Sequence, residues 1–200
     1  MRLPEALADD KRERLLEELR VADNEACSFE RLFEERLGRY APDEYSGFRK
    51  LNTRRLFNVI LFFCVDGQLK TKLNKLLFYA DFKHFKENTI SITGARYCHL
   101  QYGPVPDNYD YYFAELERAR LLDVREEAFG GYTGFECITR DKPDLTIFGE
   151  SELVSLVEIK DYFKDFGSAR IMEFSHEEAG YVSTKEGEPI SYLHAQNLRI

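Results

Sequence analysis

The sequence predicts a mainly α protein: a compact helical domain with a small β-hairpin and an N-terminal helical extension. Three observations lead there. Apolar residues recur at helical spacing, as in Leu56, Ile60, Phe63 and Cys64, in Leu73, Leu76, Leu77 and Ala80, and in Tyr109, Tyr112, Phe113, Leu116 and Leu121. Capping and terminating residues bracket those stretches. "LLDVREEAFGGYTGFECITR" (121–140) sets Gly130-Gly131 between two β-leaning runs, the pattern of a hairpin.

Taken in order, residues 4–39 are charged, with Leu7, Leu15, Leu16 and Leu19, then Phe29, Leu32, Phe33 and Leu37, at helical period. They suit two helices parted near Asp23-Asn24. "APDEYSGF" (41–48) gathers Pro, Asp, Ser and Gly and reads as a break. A helical extension or linker over 1–48 and a domain over 49–200 follow. Asn52-Thr53 caps a helix reaching about Val65, with Gly67 as terminator. A second helix runs from about Thr71 to Lys86. "SITGARYCHLQYGPVP" (91–106) has β-branched residues and Gly-Pro punctuation, giving an extended segment and a turn. Pro106 or Asp107 opens a helix to about Leu121, and the hairpin follows. Later helices are expected over about 151–163 and 168–181, then a turn and a short last helix.

The chemistry is bounded by what the sequence lacks. Four cysteines are scattered with no C-x-x-C pair, and the start "MRLPEALADDKRERLL" has no apolar run of signal-peptide type. The longest apolar run, "NVILFFCV", is too short to span a bilayer. A reducing cytoplasm is the consistent setting. Net charge of −8 and an excess of Asp and Glu argue against nucleic acid as the partner of this chain alone. Residues 49–75 are the exception, with seven bases against Asp66. A basic helix pair, a third helix and a hairpin follow the order of a winged helix, so Lys70, Lys72 and Lys75 could face phosphates. Basic helices resting on the acidic 144–190 stretch is the plainer account.

Catalytic and metal sets are incomplete. Glu173, His176 and Glu177 share one helical face, as do Asp81 and His84, but no second Glu-x-x-His accompanies them. No G-x-S-x-G, Walker or G-x-G-x-x-G pattern occurs. Cys98 and His99 are adjacent, so a strand would point them apart. The expectation is a protein that is no enzyme, with no catalytic residues, metal or cofactor.

The least ordinary stretch is "LQYGPVPDNYDYYF" (100–113). Pro104 and Pro106 fix φ and remove two backbone donors, which stiffens the turn. Tyrosine combines large area with a hydrogen-bonding tip, so it serves cores and interfaces alike.

"KTKLNKLLFYADFKHF" (70–85), "SITGARYCHLQYGPVPDNYD" (91–110) and "FSHEEAGYVSTKEGEPISYLHAQNL" (174–198) together resemble the Panacea, or SocA-like, antitoxin domain of type II toxin–antitoxin systems. The resemblance spans about 50–200. It implies a mainly helical domain, bacterial or phage, encoded beside a toxin that it neutralises by direct binding. One branch of the family acts as a protease adaptor, which would make a cellular protease a further partner. Many relatives carry an N-terminal helix-turn-helix, and residues 1–48 are similar to the linker that follows it. The motif positions are Lys75, Tyr79, Asp81, Gly94, Tyr97, Tyr102, Gly103, Pro104, Pro106, His176 and Tyr192, read as scaffold apart from Tyr102. Toxin contact is expected at Tyr102 and Tyr111, then Tyr109 and Phe82, with toxin choice in the 125–136 hairpin or the N-terminal arm. The alternatives are a winged-helix transcriptional regulator and a protease adaptor. Self-association stays open.

Overall fold

A computed structural model describes residues 40–129 and 132–200. The helices expected before residue 40 and the Gly130-Gly131 turn lie outside the described residues. The chain divides into two units, 1–39 and 40–200. Residues 40–48, grouped by composition with the extension, are bonded into the second unit. Tyr40 donates to the Gly94 carbonyl (2.9 Å), Ser91 Oγ donates to the Ser46 carbonyl (2.8 Å), and the Tyr192 N–H donates to the Glu44 carbonyl (2.9 Å).

Helix α1 (Thr53–Phe63) starts where its cap predicts, the Asn52 side chain accepting from the Arg55 N–H at 3.0 Å. A short strand β1 (Gln68–Leu69) leads directly into α2 (Lys70–Asn88), which ends at Thr89 in the left-handed region. Strands β2 (Tyr97–Leu100) and β3 (Gly103–Pro106) form a tight hairpin, and α3 (Tyr109–Arg118) follows. The larger hairpin is β4 (Leu122–Phe129) with β5 (Tyr132–Thr139), antiparallel in a register that runs from Leu122↔Thr139 to Phe129↔Tyr132. Then come α4 (Glu150–Tyr162), α5 (Ser168–His176), α6 (Ala179–Val182), β6 (Pro189–Ile190) and a 3-10 helix Tyr192–Asn197.

Three of the expectations change. The fold is mixed, not mainly α: helices surround two three-stranded antiparallel sheets, ordered β1-β5-β4 and β3-β2-β6. Most of the unforeseen strands have two to four residues, three of them prolines, so they carry no alternating pattern that a sequence could announce. The helix expected over 168–181 breaks at Glu178, whose backbone turns extended (φ −68°, ψ 138°). Its carboxylate is drawn inward to accept from Tyr79 Oη at 3.0 Å. The helix expected to reach Leu121 also stops early, with Arg120 at φ 58°.

Helix α2 is the axis of the core. Every residue from Lys72 to Phe82 is buried. Phe78, Phe82, Tyr97 and Tyr192 interlock around it, Phe82 stacking on Tyr192 with centroids 4.2 Å apart. A second aromatic cluster joins Tyr79, Phe163, Phe166 and Phe174 where α4 and α5 meet α2. Such pairs contribute about 0.5–1.5 kcal/mol each beyond their buried area. Among the described residues, no helix is long and apolar enough to cross a membrane.

Candidate functional site

A helix buried on all sides must also bury its polar residues, and each then needs a partner. Asp81, 1 % exposed, accepts from the Ile92 N–H (2.8 Å), the Thr93 N–H (2.9 Å), Thr93 Oγ1 (2.5 Å) and Tyr97 Oη (2.8 Å). Burial pushes its carboxyl above the ordinary value, and the four donors act in the opposite sense. The result is a fixed path for residues 91–97. Gly94 completes it at φ +78°, where an added Cβ would stand 2.5 Å from the Lys50 carbonyl oxygen. Tyr192 closes the same region by donating to the Ala95 carbonyl at 2.7 Å.

Lys75 serves the next segment. Its ammonium, on a residue 1 % exposed, donates to the Pro104 carbonyl at 2.9 Å, and burial pushes its pKa down to about 7. Gly103 (φ +92°) rests against that lysine: a Cβ there would stand 2.6 Å from Lys75 Cε and 2.5 Å from Ser175 Oγ. Tyr181 adds a third tie, donating to the Leu100 carbonyl at 2.9 Å while its ring lies between His99 and His176, 3.6 and 4.6 Å away. Burial, then the charges of Lys75 and His99, holds His176 below the usual histidine range. The β2–β3 turn is thus held on three sides, and Tyr102 stands on it 61 % exposed.

The four residues expected at a toxin surface separate. Tyr102 is open and Tyr111 is 38 % exposed on α3. Tyr109 is half-buried, its ring 5.2 Å from Lys70 Nζ, which also pairs with Asp110. Phe82 is 1 % exposed inside the aromatic core and has no surface to offer a partner. The scaffold positions Lys75, Tyr79, Asp81, Gly94, Tyr97, Gly103 and Tyr192 converge on α2 and the 91–104 segment. Pro104 and Pro106 are buried in β3.

The basic stretch is largely spent inside the protein. Arg49 and Arg55 both pair with Glu152, at 3.0 and 2.6 Å. Burial raises the Glu152 carboxyl, but Arg55, the Gly149 N–H and Arg49 outweigh it and hold it below the ordinary value. Arg54 pairs with Asp144 (2.8 Å) and Lys70 with Asp110 (2.6 Å). Sequence reasoning missed Glu152 as an anchor, because only the approach of α4 to α1 identifies its partners. Among the described residues, no three His, Cys, Asp or Glu side chains are grouped to hold a metal ion.

The buried polar scaffold thus presents a fixed turn that carries an exposed tyrosine, Tyr102. The chain belongs to the family described as antitoxin SocA-like, Panacea domain, which matches residues 73–180, more than half of its length. No curated protein and no solved structure matches it.

Proposed function

We propose that this protein is an antitoxin that neutralises a cognate toxin, encoded beside it, by direct protein–protein contact. Membership of the antitoxin family supports the role. The observation that carries the contact is Tyr102, 61 % exposed on a turn fixed by Lys75, Tyr181 and Gly103. A rigid, exposed tyrosine loses little freedom on binding, which is what an interface anchor requires. Tyr111, 38 % exposed on α3, is the second contact proposed, and Tyr109 on the same helix is half-buried.

Co-expression with the product of the adjacent gene tests the reading. Growth is restored and the two proteins co-purify if it holds; no rescue and no complex overturns it. A protease adaptor would also restore growth, but through loss of the toxin from the cell, so following toxin abundance separates the two.

The winged-helix reading has one observation in its favour. Leaving aside the β2–β3 hairpin, the order α1, β1, α2, α3, β4, β5 is that of a winged helix, with β1 closing the sheet against β5. Charge decides against DNA contact. Helix α3, in the position of the recognition helix, holds Asp110, Glu115 and Glu117 against Arg118, and five of the seven bases of 49–75, Arg49, Arg54, Arg55, Lys70 and Lys75, are engaged as described. A salt-dependent shift of operator DNA would reverse this preference.

A further inference from the structure

A cleft of about 280 Å³ opens on the outer face of the β2–β3 hairpin, where α3 begins. Cys98, Leu100, Val105 and Pro106 supply its apolar floor, and Asp107 and Asp110 its carboxylates, with no cationic residue in the lining. It is smaller than the roughly 300–1,000 Å³ of small-molecule sites, a size suited to one long side chain. We propose that this cleft and the adjoining exposed face of α3 receive an arginine- or lysine-bearing segment of the toxin, its aliphatic stem over Leu100 and Val105 and its charge against Asp107. The proposal rests on the antitoxin reading and names the contact surface and the chemistry of the partner.

Charge complementarity selects the occupant. The Asp107 and Glu117 carboxylates have no partner among the described residues, whereas Asp110 is matched by Lys70. Both unpartnered groups are exposed, and Asp110, Ala114 and Glu117 fall along one exposed stripe of α3. The positive end of α3 also points toward the cleft. It amounts to about half a charge, less than the single carboxylate of Asp107. A carboxylate-bearing partner would meet Asp107 at close range with no cation free to receive it. Addition of a partner strand is not the alternative, because β3 is fully buried and both prolines in it lack an N–H.

Cys98 is a built-in reporter, half-buried in the floor of the cleft, while Cys64 and Cys137 are buried completely. Its thiol is pushed up to about 11 by burial and then by Asp107, so alkylation by iodoacetamide is best followed at mildly alkaline pH and mapped by mass spectrometry. The full chain is compared with and without the adjacent gene product. The expected results are slower alkylation of Cys98 in the complex and at least ~10-fold weaker binding by Asp107→Lys/Glu117→Lys, with unchanged thermal unfolding. A complex that forms equally well with that variant and leaves Cys98 equally reactive overturns the cleft while the antitoxin reading stands. If no complex forms, the antitoxin reading falls, and the cleft is judged with the peptide acetyl-Leu-Arg-Val-amide. Protection of Cys98 by this peptide, lost in Asp107→Asn, upholds a cation-accepting cleft; no protection overturns it.

Discussion

Lys75 on α2 and Pro104 on β3 are joined by a hydrogen bond of 2.9 Å from a buried ammonium to a backbone carbonyl. The lysine has no carboxylate partner among the described residues, so the hairpin it holds is supported by a group that burial makes harder to charge. Because the folded pKa is lowered from 10.5 to about 7, the unfolded chain binds more protons between those values. Stability therefore rises with pH across that window, by up to about 1.4 kcal/mol per pH unit from this group. Lys75→Met lacks this term. Urea unfolding of both proteins at pH 7, 8 and 9 tests it, and parallel profiles would remove the claim.

Asp81 is expected to be the most sensitive polar position. Asp81→Ala leaves the Ile92 and Thr93 N–H groups, the Thr93 hydroxyl and Tyr97 Oη without their acceptor. A loss of about 3–5 kcal/mol is expected, as for a broken buried charged network. By contrast, Tyr192→Phe removes one bond to the Ala95 carbonyl and is expected to cost about 1–2 kcal/mol. Chemical denaturation ranks the two.

Two glycines distinguish rigid from yielding neighbours. At Gly94 an added Cβ meets the backbone of Lys50 and Leu51, within 2.5–2.8 Å. At Gly103 it meets side-chain atoms of Lys75 and Ser175. Both carry the left-handed penalty of about 1–2 kcal/mol, so Gly94→Ala should cost more than Gly103→Ala. Gly167→Ala, with nothing within 4 Å and φ −73°, should change little. Melting temperatures in that order uphold the account.

Tyr102→Ala separates binding from folding. With 61 % of the residue exposed, its loss should leave thermal unfolding within about 0.5 kcal/mol of the parent. Toxin affinity should fall about tenfold or more if Tyr102 anchors the complex. Calorimetric titration with the adjacent gene product measures it; unchanged affinity would move the contact elsewhere.

The sequence by itself determined those elements whose information is local. The Asn52 cap began α1 where expected, and the two β-leaning runs of 121–140 paired as an antiparallel hairpin. The spacing of Leu73, Leu76, Leu77 and Ala80 located α2, and the motif blocks led to the family. What it could not reveal was that α2 is enclosed on every side. Periodicity reports one apolar face, and nothing local says that Lys75 and Asp81 on the remaining surface will also be covered. Only tertiary packing brings residues 91–104 over them, turning charged side chains into anchors for a loop. The same holds for Arg49, Arg55 and Glu152, far apart in sequence and brought together by the seating of α4. The short strands β1, β3 and β6 likewise exist because a neighbour supplies their hydrogen bonds. Helices declare themselves through their own residues, whereas ladders between short strands and buried polar networks depend on partners that only the folded chain selects.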